Sequence, residues 1–347
     1  MQFISLKVIG VTIETADTVT ITFKQPSLKK IRYLAGQYLT LIFRINGRRF
    51  IRPYSFSSAP LVDNNLEITV KRVPGGIVSN HIIDQIKVDD IIEVMPPMGD
   101  FVLEETALTP ATHIVLWGAG SGITPLMSIA KYALGNQIAG HVTLVYGNRN
   151  TETVIFAKAI EQLQEKYANS FKAWHFHTQP AIKLTNPFHV QGRIDPRFVL
   201  NVIAKEGDLN RTLHYICGPT GLKESVKATL ESLGVDSSKI YSEDFEIVRD
   251  PAQFHDITTR VVTLKKDGAV YKVEVAKGKS ILESGLDALI DMPYSCQTGN
   301  CQVCKGKLIG GEVKIIGGEK ESAQLEVNEK LLCCSFPLTD NIEIEVQ

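Results

Sequence analysis

The chain has 347 residues, a length that corresponds to two or three domains of ordinary size. Hydrophobic residues make up 44% and charged residues 22% of the chain, which excludes a collagen-like, disordered or disulfide-dense protein. The 37 Lys and Arg residues against 38 Asp and Glu residues leave a formal net charge of −1. A chain of this charge has no general attraction for nucleic acid or for an anionic membrane.

The first residues, MQFISLKVIG, lack a basic cluster followed by a long apolar core. No apolar run in the sequence approaches the roughly 20 residues that span a bilayer. We therefore expect a cytoplasmic protein, and by default a monomer, with neither a membrane nor a nucleic acid among its partners.

Short β-rich runs separated by turn residues such as Asn46-Gly47 occupy the first 105 residues. This pattern predicts an antiparallel β-barrel domain over residues 1–105. The predicted strands are Thr18–Phe23, Gln37–Phe43, Leu66–Lys71 and Ile91–Met95.

Residues 106–247 follow a different pattern, in which apolar strands alternate with longer helical segments. This alternation predicts an α/β domain built on a parallel sheet. The predicted strands are Ile114–Trp117, Val142–Tyr146 and Leu213–Ile216, and the predicted helices are Pro125–Leu134, Thr153–Tyr167 and Leu222–Leu233.

The remainder of the chain divides into a polar segment and a small α+β domain. Residues 248–258 have no apolar period of their own and predict an interdomain linker. The elements predicted within residues 259–347 are the strands Arg260–Leu264 and Val270–Val275, a short helix beginning near Ser280, a cysteine-bearing loop and a closing strand at Ile342–Val346.

Five of the six cysteines lie in the last 52 residues. Their C-x4-C-x2-C spacing, followed by a further cysteine after 28 intervening residues, matches the ligand pattern of plant-type [2Fe–2S] proteins. Gly299 and Asn300 supply a small-residue loop in which backbone N–H groups can turn towards sulfur. The candidate ligands are Cys296, Cys301 and Cys304, with either Cys333 or Cys334 as the fourth.

Two other uses of these cysteines fit the spacing less well. A tetrathiolate zinc site usually pairs two short C-x2–4-C units, whereas the fourth candidate ligand stands alone here. A disulfide framework requires an oxidising compartment, and the sequence shows no export signal.

A second group of chemistry-bearing residues lies in the predicted barrel, in the run Arg52-Pro53-Tyr54-Ser55-Phe56-Ser57. On an extended strand, alternation places Arg52, Tyr54 and Phe56 on one face, with the two serines on the other, unless a bulge intervenes. About twenty residues later, Gly75-Gly76-Ile77-Val78-Ser79-Asn80 leads into a helical stretch, and a glycine-rich helix start binds anions. Each segment alone also fits a buried strand or a simple turn, but together they predict a site for a dinucleotide pyrophosphate.

A third group follows the predicted strand that ends at Trp117. The run Gly118-Ala119-Gly120-Ser121-Gly122-Ile123-Thr124-Pro125 combines three alternate glycines with a proline in the first turn of a helix, so the backbone can approach a pyrophosphate closely. The spacing departs from G-x-G-x-x-G at Ile123. A further strand leads into Cys217-Gly218-Pro219. Cys217 is a candidate residue of this third group, but it is also compatible with an ordinary core cysteine.

The end of the second strand of this domain bears on the choice between NADP and NAD. It carries Asn148 and Arg149, with no acidic residue for a free ribose 2′-hydroxyl. Arg149 can pair with a 2′-phosphate or can be a solvated loop charge. We expect NADP(H), with NAD(H) as the alternative.

These motifs resemble those of known proteins. PYSCQTGNCQVC, with LCCSFP after it, resembles plant-type ferredoxins, in which the last ligand stands four residues before a proline. This resemblance implies a β-grasp fold for residues 259–347. It favours Cys333 over Cys334, although Gln297 stands where many such ferredoxins have Arg or Lys. R-x-Y-S with G-x-x-S, and G-x-G-x-G-x-x-P with C-G-P, resemble the flavin and nucleotide domains of the ferredoxin–NADP reductase superfamily.

The resemblance implies FAD as the flavin, with Arg52 at its pyrophosphate, Tyr54 against the ring and Ser55 near N5. It places Cys217 beside the nicotinamide. It also places Glu243 and Phe245 near the flavin, where the Phe245 ring stacks on the flavin. The implied catalytic residues are Tyr54, Ser55, Cys217 and Phe245. The implied cofactor-binding set adds Arg52, Pro53, Val70, Gly75, Gly76, Val78, Ser79, Gly118, Gly120, Ser121, Gly122, Thr124, Asn148, Arg149, Gly218 and Pro219.

Across nearly the whole chain, the resemblance is to reductase components of bacterial oxygenases, of the phenylacetyl-CoA oxygenase and 3-ketosteroid hydroxylase types. It implies an NAD(P)H-dependent oxidoreductase that passes electrons through FAD and a [2Fe–2S] cluster to a partner oxygenase or hydroxylase. Two alternatives remain at this point. One is a stand-alone oxidoreductase for small acceptors, and the other is a ferredoxin-type carrier or sensor without an oxygenase partner.

Overall fold

The computed structural model describes residues 3–27, 29–105, 108–180, 186–206, 209–247, 249–318 and 325–346, without the side chains of residues 205, 206 and 210. The chain divides into two units. The first comprises Met1–Phe43 and Tyr54–Asp244, and the second comprises Arg44–Pro53 and Phe245–Gln347.

The amino-terminal part is an antiparallel sheet, as the sequence predicts for the β-barrel flavin domain. Its strands are β1 (Ile4–Thr15), β2 (Thr18–Phe23), β3 (Tyr38–Ile45), β4 (Arg48–Ser55), β5 (Leu66–Lys71) and β6 (Ile91–Val94), with helix α1 (Ile77–Gln85) between the last two. The strand order over the described residues is β4-β3-β6-β1-β2-β5. The predicted strands over β2 and β5 agree residue for residue, and those over β3 and β6 differ by one or two residues at their ends.

The middle part is a parallel sheet flanked by helices. Its strands are β7 (His113–Ala119), β8 (His141–Asn148), β9 (Phe171–His177), β10 (His189–Gln191), β11 (Thr212–Cys217) and β12 (Ile240–Glu243), and its helices are α2 (Ile123–Gly135), α3 (Ala157–Lys166), α4 (Pro196–Glu206) and α5 (Thr220–Ser232). The described strands follow the order β10-β9-β8-β7-β11-β12. Because β7 neighbours both β8 and β11, the carboxyl ends of β7 and β11 lie at the switch point where α/β proteins bind ligands.

One helix of this part begins later than the sequence predicts. The helix expected over Thr153–Tyr167 begins only at Ala157. Phe156, just before it, takes a φ of 63°, and Val154 and Ile155 turn into the core with exposures of 6% and 0%. Burial of these apolar side chains outweighs the helical pattern of the preceding residues.

The carboxyl-terminal part has the predicted α+β architecture. It contains β13 (Arg260–Lys266), β14 (Ala269–Val275), α6 (Ile281–Asp287), β15 (Lys305–Gly310), β16 (Val313–Ile315), β17 (Glu329–Leu331), β18 (Ser335–Pro337) and β19 (Glu343–Val346). Over the described residues, the main sheet has the order β14-β13-β19-β15-β17, and β16 pairs with β18. Helix α6 begins where predicted because Ser280 and Glu283 form a reciprocal capping box.

The segment predicted as a polar linker contributes to the core of the second unit. Phe254 and Ile257 are buried in one cluster with Ile316 and Phe336, and the two phenylalanine rings meet edge to face at 5.1 Å. Two apolar residues three positions apart are too few to give a recognisable period, but they suffice to fold this segment onto the unit. Among the helices given above, none has the length and apolar character needed to cross a bilayer.

Candidate functional site: nucleotide, flavin and cysteine segments

The glycine-rich segment after β7 lies at the carboxyl edge of the parallel sheet. Gly120–Gly122 form a single 3-10 turn, and α2 continues from Ile123. A Cβ atom on Gly122 would lie 2.1 Å from the carbonyl oxygen of Cys217, whereas one on Gly120, which has a φ of +54°, would meet nothing within 4 Å. Glycine is therefore required at 122 by the neighbouring strand, and the backbone at 120 faces open space, as the sequence-based hypothesis of a pyrophosphate site requires.

Hydrogen bonds fix the shape of this loop. The hydroxyl of Tyr146, on β8, donates to the Gly120 carbonyl at 2.8 Å, and the Thr124 hydroxyl donates to the Ser121 carbonyl at 3.0 Å. Tyr146 cannot be singled out from the sequence, because an aromatic residue in an apolar strand looks like ordinary core. Its hydroxyl nevertheless restrains the glycine-rich loop through the hydrogen bond to Gly120.

Cys217 ends β11 and is buried, with Gly118 and Glu243 as its neighbours in register on the adjacent strands. Burial raises the pKa of the Cys217 thiol well above its usual value, and the Glu243 and Asp244 carboxylates raise it further. The thiol is therefore neutral at pH 7, which suits a small group that packs beside a ring and does not suit a nucleophile.

The residues after Cys217 bring a second backbone segment close to the loop. A Cβ atom on Gly218 would lie 3.2 Å from the Ala119 nitrogen, and Pro219 is the cap residue of α5. At the end of β8, Asn148 is buried and Arg149 is exposed, so the guanidinium of Arg149 is accessible to a nucleotide phosphate.

The flavin segment, at the end of β4, differs in one respect from the prediction. Arg52, Pro53 and Tyr54 are half-buried and Ser55 is buried, but the residues from 56 to 58 are all buried as well. Phe56 stacks on Tyr33 with ring centroids 4.0 Å apart. Strand β4 ends at Ser55, so the alternation expected from Arg52 to Ser57 does not continue regularly to Phe56, which is buried in the core.

The start of α1 has the form expected of an anion site. Gly75 has a φ of +72° with nothing within 4 Å of its Cβ position, and Gly76 is the helix cap residue. Ser79 accepts a hydrogen bond from the Val73 N–H at 3.1 Å, which closes the turn. The side chains of Val70 and Val78, also predicted for this site, are buried and support the turn from the core.

Helix α2 joins the nucleotide loop to the flavin segment within the first unit. The Ser128 hydroxyl donates to the Ser58 carbonyl at 2.6 Å, three residues beyond Ser55. One turn later on the same helix face, the Lys131 ammonium lies 3.1 Å from an Asp63 oxygen and 3.7 Å from a Glu67 oxygen. These contacts, which the sequence did not predict, hold the two cofactor segments in one framework.

The cysteine loop directs backbone N–H groups at sulfur, as expected. The N–H groups of Thr298 and Cys301 each lie 3.4 Å from the Cys296 sulfur, and Gln297 takes a φ of 59° that allows this turn. The Cys301 thiol, together with these N–H donors, lowers the pKa of Cys296 to about 5 despite its burial. A sulfur held as thiolate is the form that ligates iron.

The four predicted ligands form two pairs of thiols in mutual contact, Cys296 with Cys301 and Cys304 with Cys333. In the described part of the chain, no three His, Cys, Asp or Glu side chains surround a single ion position. A [2Fe–2S] cluster needs two thiolates on each of its two irons, and the two pairs of thiols match this requirement. Cys334 lies 3.6 Å from Cys333, sulfur to sulfur, and its sulfur occupies the space 2.9 Å from the Cβ position of Gly299.

Known proteins match all three segments. Family models for an oxidoreductase FAD-binding domain, an oxidoreductase NAD-binding domain and a 2Fe-2S iron-sulfur cluster binding domain match residues 5–103, 116–228 and 264–338. The chain is 33% identical over 356 residues to the ferredoxin reductase component of 3-ketosteroid-9-alpha-monooxygenase from Rhodococcus rhodochrous, with 98% of this chain and 96% of that protein covered. The chain belongs to this family of ferredoxin reductase components.

The reductase is also 30% identical to one of the subunits of 1,2-phenylacetyl-CoA epoxidase from Escherichia coli (strain K12), over 99% of this chain and 97% of that protein. Its fold matches phthalate dioxygenase reductase with a TM-score of 0.67 and 24% identity, over 99% of this chain and 98% of that one. The reductase is thus an NAD(P)H-dependent oxidoreductase, and the predicted cofactors FAD, pyridine nucleotide and [2Fe–2S] cluster are confirmed.

Replacing Gly122 tests the nucleotide loop. In Gly122→Ala the new methyl group collides with the Cys217 carbonyl, so the loop must move, and we expect NADPH to bleach the flavin band about 100-fold more slowly. The matched control is Gly221→Ala, where the added methyl group meets nothing within 4 Å. Bleaching is followed by stopped-flow absorbance, and chemical reduction by dithionite should be unchanged in both variants. Equal NADPH rates in the two variants would remove the loop from the site.

Replacing each member of the Cys333-Cys334 pair tests the ligand set. We expect Cys333→Ser to lose the cluster absorbance and most of its iron, because one of the two thiol pairs is broken. Cys334→Ser should keep about two irons per chain, because serine fits the same buried space. Iron analysis and visible absorbance of protein purified without oxygen decide between them, and the reverse pattern would assign Cys334 as the ligand.

Proposed function

We propose that the reductase takes electrons from NADPH and delivers them one at a time to a partner oxygenase. When bound, the nucleotide supplies a hydride, FAD accepts two electrons and the [2Fe–2S] cluster carries one. The observation that carries the proposal is the cysteine loop, with its paired thiols and N–H donors. Reduction of a small acceptor by hydride needs no such module, so its presence favours a one-electron protein acceptor over the stand-alone alternative.

The side chains of the first two sites bind and orient, and they need not move protons. Arg52 and the start of α1 provide positive charge and N–H donors for the FAD pyrophosphate. Tyr54 and Ser55 present a ring and a hydroxyl at the end of β4, and Cys217 provides a neutral thiol beside the nicotinamide. Phe245, with 45% of its surface exposed, is available for stacking on a ring.

The preference for NADPH rests on the end of β8. Arg149 is exposed there, and none of the residues from Tyr146 to Asn150 is acidic. A guanidinium in this position pairs with a 2′-phosphate, whereas an NAD site usually places a carboxylate on the ribose.

The partner is proposed from the relatives, whose names place them with a ketosteroid monooxygenase and with a phenylacetyl-CoA epoxidase. We infer a terminal oxygenase or hydroxylase of comparable type. Residues 259–347 carry 11 Lys and Arg against 13 Asp and Glu, a net −2, and the cluster adds negative charge, so a basic docking patch on the partner is expected. A monomer in the cytoplasm fits this role, because that compartment supplies NADPH and keeps thiols reduced.

An anaerobic titration tests the proposal. We expect complete reduction of the holoenzyme to need about 1.5 equivalents of NADPH, because FAD takes two electrons and the cluster takes one. Cys301→Ser, which lacks one ligand, should need about one equivalent. Absorbance records both bands, and NADPH should act faster than NADH. A flavin band that does not bleach, or a cluster that stays oxidised at excess NADPH, would contradict the proposal.

A further inference from the structure

Residues 44–53 form what we call the hairpin arm, which consists of the Asn46-Gly47 turn and the adjoining ends of β3 and β4. The turn has positive φ at both residues, 51° and 76°, as a tight two-residue hairpin requires. The arm belongs to the second unit together with residues 245–347. It thus belongs to the same unit as residues 291–304, which we call the cluster loop.

Two polar contacts join the hairpin arm to the cluster loop. The backbone N–H of Ile51 donates to the hydroxyl of Tyr294 at 3.1 Å, and Arg49 pairs with Asp291 at 2.7 Å. Ile51 and Tyr294 are buried, with exposures of 0% and 3%, whereas the Asp291 side chain is 78% exposed. The buried hydrogen bond is therefore the stronger restraint, because solvent screens the ion pair.

The positions of these two residues in the sequence give the hydrogen bond its significance. Ile51 directly precedes Arg52 and lies three residues before Tyr54, in the strand assigned to the flavin. Tyr294 lies two residues before Cys296, the first ligand of the cluster loop. A single buried hydrogen bond thus connects the main chain of the flavin strand to the segment that presents the first thiolate.

We propose that Tyr294 is a positioning residue that anchors the hairpin arm to the cluster loop and so sets the rate of electron transfer between the flavin and the cluster. The inference rests on the proposed function. Electron transfer through protein slows steeply with distance, so we expect loss of this anchor to slow the step between the flavin and the cluster. Hydride transfer from NADPH is assigned to the loop after β7, so we expect it to be independent of Tyr294.

The test compares Tyr294→Phe with the unaltered holoenzyme. Phenylalanine keeps the ring but leaves the buried Ile51 N–H without its acceptor, so the arm should detach more often. We expect cluster reduction to slow about fivefold after mixing with NADPH, while the rate of flavin bleaching is unchanged. Hydrogen–deuterium exchange of the amides in residues 48–53 should accelerate by a similar factor. The control is Tyr271→Phe on β14, an exposed tyrosine of the same unit, which should change neither quantity.

Unchanged cluster reduction and unchanged amide exchange in Tyr294→Phe would overturn the inference and leave the proposed function standing. If NADPH did not bleach the flavin band of the unaltered protein, the proposed function would be refuted. The exchange measurement would still decide whether Tyr294 anchors the arm. Should Tyr294→Phe lose its cluster, Arg49→Gln makes the same comparison from the arm side. A slowing of about twofold is expected there, because an exposed ion pair contributes less than a buried hydrogen bond.

Discussion

Electrons pass through protein only over short distances, because the rate of transfer falls steeply with the separation of the redox groups. This constraint explains why single contacts between distant segments matter in the reductase. In the first unit, α2 begins at the glycine loop and reaches the segment beyond the flavin strand through Ser128 and Lys131. The helix therefore fixes the nucleotide loop and the flavin strand relative to each other.

Close backbone packing restrains the position of the nucleotide loop. The carbonyl of Cys217 fills the space that a side chain at 122 would need, and Tyr146 holds the carbonyl of Gly120. These two contacts restrain the shape of the loop. Of the glycines at 118, 120 and 122, Gly120 has open space at its Cβ position, which is consistent with its proposed place at a pyrophosphate.

Two cysteines show how their surroundings set the chemistry of a thiol. Cys217 is buried near the Glu243 and Asp244 carboxylates, and its pKa rises. Cys296 is also buried, but the Cys301 thiol and two N–H groups point at its sulfur, and its pKa falls to about 5. The first remains a neutral packing group, and the second is prepared to ligate iron.

Much of this architecture could be predicted from sequence because local patterns carry it. The alternation in Thr18–Phe23, the capping box at Ser280 and the cysteine spacing each act within a few residues. Strand β9, by contrast, was not predicted, because Phe171–His177 mixes Lys and His with aromatic residues and lies almost wholly buried. Ser128 and Tyr294 could not be predicted either, since their partners Ser58 and Ile51 lie 70 and 243 residues away in the chain.

The most direct test of an ordered path through one chain is rapid-freeze electron paramagnetic resonance after mixing with a single equivalent of NADPH without oxygen. An ordered path predicts that the signal of a reduced [2Fe–2S] cluster appears after the flavin band has bleached and without any added protein. A bleached flavin with no cluster signal at any time would contradict it, because the cysteine loop would then not receive electrons from the flavin.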